Sequence, residues 1–512
     1  MTSLQVWSDV IVDRWPIIST VALAAVIAAF LPSTLRLIRM FTFPTVGTEL
    51  GGAEKRRKAY LAGARKLYND GYRKFKEQAF KITTSRTSTV LVLPPKYLPE
   101  LKKIPDSIVS MEAAVDEHME SKYTRIETVV PIVPHTIKAD LTPGLVRLNP
   151  VLSKEVQEVI DLEMPDCSDW TSLNIHHKLL RIVGMVSGRI FIGPELGRKE
   201  EYLDAAINYT IEAMEVQRAV QSMRPWLRPF LANRLPAAKK LDQRIKAAED
   251  FMMPVVKKRM ELANSPDKPD DMLQWLISSL GKFPDRASQN LARVQLGISF
   301  AAIHTTVLTA TNVFYSIAAL PDFVPELREE INQALAENDG VFTSNALQSM
   351  KKLDSFLKET LRFCPASMAS FQRKVLQTFS LSDGHVIPAG ITIEVPAVAV
   401  SFDPELFPQP EKFDPLRFYK LRQQARDGGG SGESAALNQF VSVSQNSLTF
   451  GYGRHACPGR FFAANELKMI LSNMLLKYDI KLANGATERY PNMEFAHMSI
   501  PDPAKELMFK RR

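Results

Sequence analysis

Cysteine is scarce in this chain of 512 residues, which contains only Cys167, Cys364 and Cys457. An odd number of cysteines spread so far apart argues against a disulfide framework and for a reducing compartment. Apolar residues make up 45% of the chain and charged residues 23%, so nothing in the composition prevents a large buried core.

Several functional signatures are also missing. There is no internal repeat, and no G-x-G-x-x-G fingerprint follows a predicted strand, so the chain does not bind a dinucleotide in that way. The Gly/Ser stretch at 427–432 lacks a lysine and a following helix in register, and we interpret it as a flexible surface insertion. The net charge of +8 is too diffuse for a nucleic-acid arm but suits an acidic partner or an anionic membrane surface.

The first charge-free segment runs from Trp15 to Leu35, which is long enough to cross a bilayer. Basic residues are in excess after it, which places the body of the protein in the cytosol. A cleaved signal peptide is the alternative, but the apolar run is long and a basic segment follows it. We therefore expect a membrane anchor at 1–40 and a catalytic domain at 41–512.

The rest of the chain has mainly helical periodicity with a small β region. The predicted helices cover 53–80, as an amphipathic basic helix near the membrane, and then 145–162, 170–191, 200–220, 237–263, 297–320 and 353–362. Strands are predicted at 87–93 and 387–395, and a hairpin at 493–501. The segment 297–320 carries no charged residue, but its hydroxyl and amide side chains favour a central helix buried in protein over a second membrane span.

The stretch from Phe450 to Ala463 contains the most distinctive pattern. Gly451 and Gly453 allow a tight turn, and Pro458 suits the first position of the apolar helix that follows. At the mouth of that helix, Cys457 faces unpaired N–H groups that favour a thiolate, which is a soft metal ligand. The alternative is a buried free cysteine that caps a core helix.

Phe450-x-x-Gly453-x-His455-x-Cys457-x-Gly459 resembles the haem-binding loop of the cytochrome P-450 monooxygenases, F-x-x-G-x-R-x-C-x-G. The resemblance implies the cytochrome P-450 fold, here preceded by a transmembrane helix, and haem b whose iron is held by Cys457. It implies that Phe450, Gly453 and Gly459 shape the loop. His455 replaces the usual arginine that pairs with a haem propionate.

Three further segments resemble the same family in the same order. Ala301-Ala-Ile-His-Thr-Thr306 is similar to the oxygen-binding kink A-G-x-D/E-T-T, which implies a proton relay through Thr305, with His304 in place of the acid. Back-bonding of Thr305 to a carbonyl one turn earlier is the alternative. E-x-x-R and P-x-R-F imply a structural triad of Glu359, Arg362 and Arg417.

The resemblance also implies haem-propionate contacts. Arg373 is one candidate, against the alternative of a lone arginine at a strand edge. His135 is the other, although the usual tryptophan and arginine are absent there and a solvated basic turn is the alternative.

The function implied by the resemblance is oxygen insertion from O2 into an apolar small molecule. Electrons would come from NADPH through NADPH-cytochrome P-450 reductase, docked on basic residues such as Arg454, Arg460 and Lys468. The chain is similar to fungal microsomal members such as ent-kaurene oxidase and indole-diterpene oxidases, which implies a terpenoid-derived secondary metabolite and a single-pass protein of the endoplasmic reticulum membrane. The alternatives are a haem-thiolate isomerase or dehydratase acting without a reductase, and a non-enzymatic haem-binding membrane protein.

Overall fold

The computed structural model describes residues 14–15, 17–24, 36, 38–262, 265–283, 290–427 and 432–512. Residues 14–15 and 17–24 are helical, and the remainder of the predicted anchor segment lies outside the described residues. Residues 428–431 of the Gly/Ser stretch also lie outside them, so its predicted flexibility stays a prediction.

The described part of the chain is mostly helical. Thirteen of its helices have eight or more residues: α1 Ala53–Ala62, α2 Arg65–Lys74, α3 Met111–Met119, α4 Thr142–Glu163, α5 Ile175–Phe191, α6 Glu200–Ser222, α7 Pro236–Glu261, α8 Met272–Ser279, α9 Leu291–Ala318, α10 Val324–Ala336, α11 Lys351–Phe363, α12 Arg417–Asp427 and α13 Arg460–Lys477. Shorter helices cover Leu98–Leu101, Ser121–Thr124, Ile132–Thr136, Pro194–Gly197, Arg228–Leu231, Ser344–Ser349, Ala397–Ser401 and Gly432–Ala436.

The strands form small sheets beside the helices. They are β1 Phe80–Ile82, β2 Val90–Val92, β3 Val109–Ser110, β4 Thr171–Leu173, β5 Ser370–Val375, β6 Phe379–Ser380, β7 Val386–Ile387, β8 Thr392–Val395, β9 Tyr478–Leu482, β10 Asn492–Phe495, β11 Met498–Pro501 and β12 Leu507–Arg511. One sheet has the order β1-β2-β8-β5-β3, in which β2 and β8 are parallel and the other pairs antiparallel. Another has the order β4-β12-β9, and β6–β7 and β10–β11 pair as antiparallel hairpins.

The prediction of one continuous basic helix over 53–80 is wrong, because the structure has two shorter helices there. The chain breaks after α1 at Gly63, whose φ of 149° is outside the helical range, and then forms α2. Arg57 and Tyr60 of α1 are buried, so this helix contributes to the core as well as to the surface. The basic, amphipathic pattern continues across both short helices, so it predicted a single long one.

Helix α9 is the central helix of the fold. Its first turn is capped by Asn290, whose side-chain oxygen accepts hydrogen bonds from the backbone N–H groups of Ala292 and Arg293. Among the described residues it is the one helix long and apolar enough to cross a membrane, but it packs against α5, α6 and α13, and most of its side chains are buried. It is therefore a core helix, as its polar residues predict.

One stripe of α9 remains exposed although the rest of the helix is buried. Gly297, Ala301 and Thr305 follow one another at intervals of four residues, so they lie on the same helix face. This stripe is the accessible face of α9.

Glu359, Arg362 and Arg417 form a buried ion cluster that ties α11 to α12. Arg362 donates from Nε and Nη2 to the two carboxylate oxygens of Glu359, at 2.8 Å each, and Arg417 Nε lies 3.1 Å from Glu359 Oε2. The arginines also donate to the carbonyls of Ser401 and Pro408, so the cluster fixes the long connection between the two helices.

Candidate haem-binding site

The turn before Cys457 depends on two glycines in the left-handed region. Gly451 has φ 79° and Gly453 has φ 73°, a conformation that costs other residues free energy. At Gly453 a Cβ atom would also lie 2.9 Å from the Cβ of Lys102. The turn brings the Cys457 N–H to 2.7 Å from the carbonyl oxygen of Phe450, which closes the loop.

Gly453→Ala is therefore expected to lower the free energy of unfolding by about 1–2 kcal/mol, because alanine is strained at this φ, and to reduce haem retention. Thermal unfolding and haem content of the purified protein measure both effects. Gly281→Ala is the matched control, since its Cβ would meet no atom within 4 Å. Equal stability of the two variants would contradict the role given to the Gly453 turn.

The Cys457 thiol lies in a backbone cradle, and burial opposes its ionisation. Burial raises the pKa of the thiol, although the backbone N–H groups of Gly459 and Arg460 and the Arg460 guanidinium act in the opposite direction. Moreover, α13 begins at Arg460, so Cys457 and Pro458 precede the helix and do not form its first turn. The backbone N–H groups favour the thiolate as the sequence predicts, but burial outweighs them, and a cation at the sulfur would compensate the buried charge.

Arg373 is a buried arginine without an anionic partner. It lies on β5, is 5% exposed, donates to the carbonyl of Gln372 at 2.8 Å, and has no ion pair with a carboxylate among the described residues. Burial lowers its pKa to about 10, and the negative charge of Asp106 only partly opposes this effect. The strand-edge alternative, an exposed arginine, does not apply.

His455 lies in the same pocket as Arg373. The pocket is also lined by Lys102, Phe371, Tyr452 and Arg454. His455 Nε2 is 2.8 Å from Asp106 Oδ1, and Arg454 Nη2 is 2.8 Å from the same oxygen. Although partial burial of the carboxylate acts in the opposite direction, the hydrogen bonds from Arg454 and His455 hold the pKa of Asp106 below its usual value. Sequence analysis missed Asp106, and nothing in its polar surroundings marks it.

These residues fit a haem. A half-buried sulfur is cradled by two amides, and the buried Arg373 guanidinium has no ion pair with a carboxylate among the described residues. Next to the sulfur, a Cβ at Gly459 would meet no atom within 4 Å, so the loop leaves open space there. Soft sulfur suits iron, and free cationic donors suit propionates.

Thr305 and His304 lie side by side on α9 but do not contact each other through hydrogen bonds in the described structure. Thr305 donates to the carbonyl of Ala301 at 2.8 Å, as in the back-bonding alternative, and α9 is α-helical throughout this segment. His304 Nε2 lies 2.9 Å from the carbonyl of Ile207 and must donate to it, so it links α9 to α6. Burial lowers the pKa of His304, and this hydrogen bond only partly opposes it.

A buried carboxyl group that sequence analysis missed lies next to Thr306. Glu466 of α13 is fully buried and accepts a hydrogen bond from Ser187 Oγ at 2.7 Å. Burial raises the pKa of Glu466 to about 8, although hydrogen bonds from Ser187 and Thr306 lower it. The group is therefore mostly an uncharged acid at neutral pH, close to the residue that follows Thr305.

Two groups of predicted residues lie elsewhere. The side chain of His135 contacts Phe283, at a ring-centroid distance of 5.4 Å, and Lys282, so its predicted role as a propionate contact stays a prediction. Lys468 is buried and lies 2.8 Å from Asp354, so the prediction that it forms a docking surface is wrong. Arg460 is half-buried and donates to the carbonyls of Val441 and Cys457, which leaves Arg454 as the exposed member of the three.

Comparisons with known proteins all point to one family. The sequence profile of the cytochrome P-450 family matches residues 135–509. The chain is 43% identical to cytochrome P-450 monooxygenase ATR3 of Stachybotrys chlorohalonatus, over 83% of this chain and 89% of that protein. It is 35% identical to cytochrome P-450 monooxygenase braC of Annulohypoxylon truncatum over 96% of this chain and 97% of that protein. It is also 36% identical to cytochrome P-450 monooxygenase paxP of Penicillium paxilli over 86% and 84% of the two chains.

The profile covers more than half of the chain, and each of these relatives is matched over most of its length. The mostly helical architecture, the loop of Cys457 and the unpaired Arg373 agree with that assignment. The chain belongs to the cytochrome P-450 family and is a monooxygenase.

Proposed function

We propose that this enzyme inserts one oxygen atom of O2 into a C–H bond of an apolar, terpenoid-derived intermediate of fungal secondary metabolism. NADPH supplies the electrons through a separate flavin reductase. Two features carry the proposal: a half-buried cysteine in an amide cradle, and a buried arginine, Arg373, that has no ion pair with a carboxylate among the described residues. Similarity to fungal monooxygenases supports the metabolic setting.

Each residue of the site then has a part in holding the haem. Cys457 ligates the iron through its sulfur, and the amides of Gly459 and Arg460 stabilise the thiolate. Arg373 and His455 bind the propionates, with Arg454 and Asp106 orienting His455. The bound haem supplies the chemistry that activates O2, and the thiolate ligand favours O–O cleavage.

Proton delivery falls to residues of α9. Thr305 lies on the exposed stripe, and its hydroxyl donates a hydrogen bond to the Ala301 carbonyl. Rotation of the hydroxyl breaks this hydrogen bond and makes its proton available for transfer. His304 keeps only Nδ1 for proton exchange, because Nε2–H is bound to the Ile207 carbonyl. Both residues are candidates for the relay, and Thr305 is the one on the accessible face of α9.

Thr305→Ala is expected to uncouple NADPH oxidation from product formation, with about tenfold less product per NADPH and release of hydrogen peroxide, because a positioned proton donor is lost. Product, NADPH and peroxide are measured in the same reaction. Thr309→Ala is the matched control, since its hydroxyl makes the same back-bond to the Thr305 carbonyl at 2.9 Å one turn later. Coupling that is unchanged in Thr305→Ala would remove Thr305 from the relay.

Membrane attachment is the other part of the proposal. The described residues of the N-terminal segment carry exposed apolar side chains, including Trp15, Ile17 and Val21. Trp226 and Phe230, in the segment between α6 and α7, are also largely exposed. Such residues suit a lipid interface. We propose an anchor at 1–40 in the endoplasmic reticulum membrane with the domain at 41–512 in the cytosol.

The experiment that tests the function is product analysis in microsomes that contain the full chain, a fungal NADPH-cytochrome P-450 reductase and candidate terpenoid precursors under isotopically labelled O2. The expected product gains one labelled oxygen atom for each NADPH consumed in coupled turnover. An isomerised or dehydrated product formed without NADPH would instead establish the reductase-independent alternative.

A further inference from the structure

A polar cluster lies where α3, the tip of the β10–β11 hairpin and the turn between β1 and β2 meet. It contains His118, His497 and Arg86. The rings of the two histidines are 4.4 Å apart and meet edge to face, at 79°. His497 Nδ1 is 3.5 Å from the hydroxyl of Tyr60. Nothing in the site described above uses these groups.

Arg86 has more donors than its surroundings satisfy. It is 7% exposed, and its Nη1 lies 3.0 Å from Glu394 Oε2, while Tyr68 donates to the other oxygen of Glu394 at 2.5 Å. Its Nε and Nη2 have no hydrogen-bond partner among the described residues. Buried N–H groups without an acceptor are costly, so two on one guanidinium indicate a missing acceptor.

The histidines add neutral polar groups to the same place. Burial, followed by the charge of Arg86, lowers the pKa of His497 to about 3. Burial, His497 and Arg86 lower the pKa of His118 well below its usual value. A neutral imidazole offers one N–H donor and one acceptor nitrogen. The cluster therefore has spare donors and no net charge, because Glu394 already balances Arg86.

Strand packing and hydrogen bonds connect the cluster to the elements around α9. Strand β11 of the hairpin packs against α9, and the carbonyl of His497 accepts a hydrogen bond from Met368, just before β5. The carbonyl of His118 accepts hydrogen bonds from Gln217 and Gln221 of α6, the helix that His304 joins to α9. His118 as a whole residue is only partly buried, whereas His497 is 6% and Arg86 7% exposed.

We propose that Arg86, His118 and His497 form a subsite that binds a neutral oxygen function, a hydroxyl or carbonyl group, of an otherwise apolar substrate. This inference rests on the proposed function. A carboxylate is disfavoured because it would be buried next to the carboxylate of Glu394, whose charge Arg86 already compensates. The substrate would then already carry oxygen, so a hydroxylation, or a cyclisation that leaves an alcohol, precedes this enzyme.

The test measures binding of abietadiene, abietadienol and abietic acid, which share one skeleton and differ in oxidation state. Affinity is measured with the haem-loaded full chain by the absorption shift of the haem and, independently, by equilibrium dialysis of radiolabelled probe. We expect the alcohol to bind about tenfold more tightly than the hydrocarbon and the acid, as for one hydrogen bond to a charged donor. Equal affinities for the three probes would overturn the proposal.

The double variant R86M/E394Q removes both charges and avoids a lone buried ion. It is expected to lose the preference for the alcohol and to keep its affinity for the hydrocarbon. If it does not fold, His118→Phe decides, because it leaves the Arg86–Glu394 pair intact. The subsite is overturned if the folded double variant keeps the preference for the alcohol. If the double variant does not fold, the same preference in His118→Phe overturns it.

The matched control is R259M/D271N, which removes another buried pair, at 2.8 Å, whose arginine also has an unpaired nitrogen. This control should keep the full preference. If the chain takes up no haem but dialysis shows the preference, the proposed function fails and the subsite stands. If the haem is present and the preference for the alcohol is absent, the subsite fails and the proposed function stands.

Discussion

Replacing Cys457 by alanine is expected to reduce turnover to the level of the haem-free protein. The sulfur is half-buried in the loop closed by the Cys457 N–H and the Phe450 carbonyl, and the amides of Gly459 and Arg460 are directed at it. No group of three or more histidine, cysteine, aspartate or glutamate residues that could hold a metal ion occurs in the described part of the chain. Alanine at position 457 has no side-chain atom that can ligate iron.

Cys457→His separates ligation from chemistry, because imidazole also binds iron but does not supply the electron density of a thiolate. We expect it to retain some haem and to lose oxygenation of substrate. Cys364→Ala is the control, since Cys364 is a buried cysteine whose thiol pKa is raised by burial in the same direction. Haem content and turnover are measured for all three variants. Normal turnover by Cys457→Ala would refute the assignment.

Glu359→Gln is expected to lower the free energy of unfolding by about 3–5 kcal/mol, because it leaves buried positive charge without its counter-ion. Glu359 is fully buried, while Arg362 is 4% and Arg417 8% exposed, so water cannot compensate either arginine. The carboxylate also accepts a hydrogen bond at 3.0 Å from the backbone N–H of Asp414, which would weaken with the charge.

The measurement is urea unfolding of the haem-loaded protein, followed together with haem release. Glu77→Gln is the control because its ion pair with Lys96, at 3.0 Å, is exposed on both sides. Exposed pairs contribute about 0–1 kcal/mol, so that variant should unfold almost as the original protein does. Similar losses in the two variants would show that the cluster does not hold the connection between α11 and α12.

Local patterns predicted the elements that carry the site. The charge-free segment and its polar side chains placed the central helix α9, and the glycines around Cys457 predicted the tight turn, which the structure has with φ of 79° and 73°. The spacing of Glu359 and Arg362 placed them on one helix face, and the structure pairs them. Each of these features depends on residues close together in the chain.

Pairings between distant segments could not be predicted in this way. His304 meets a carbonyl 97 residues earlier, His455 meets Asp106, and Lys468 is buried against Asp354. The direction of the pKa shift of Cys457 could not be predicted locally either, because it depends on how deeply the folded chain buries the sulfur. Arg86 has no sequence signal at all, since its significance lies in two donors that the fold leaves without an acceptor.

The most direct measurement is the carbon-monoxide difference spectrum of the reduced, haem-loaded full chain. If the Cys457 sulfur ligates the iron, the absorption band appears at the position of thiolate-ligated haem, far to the red of the histidine-ligated form. A band at the histidine position, or a purified chain that binds no haem, would contradict the account of this enzyme.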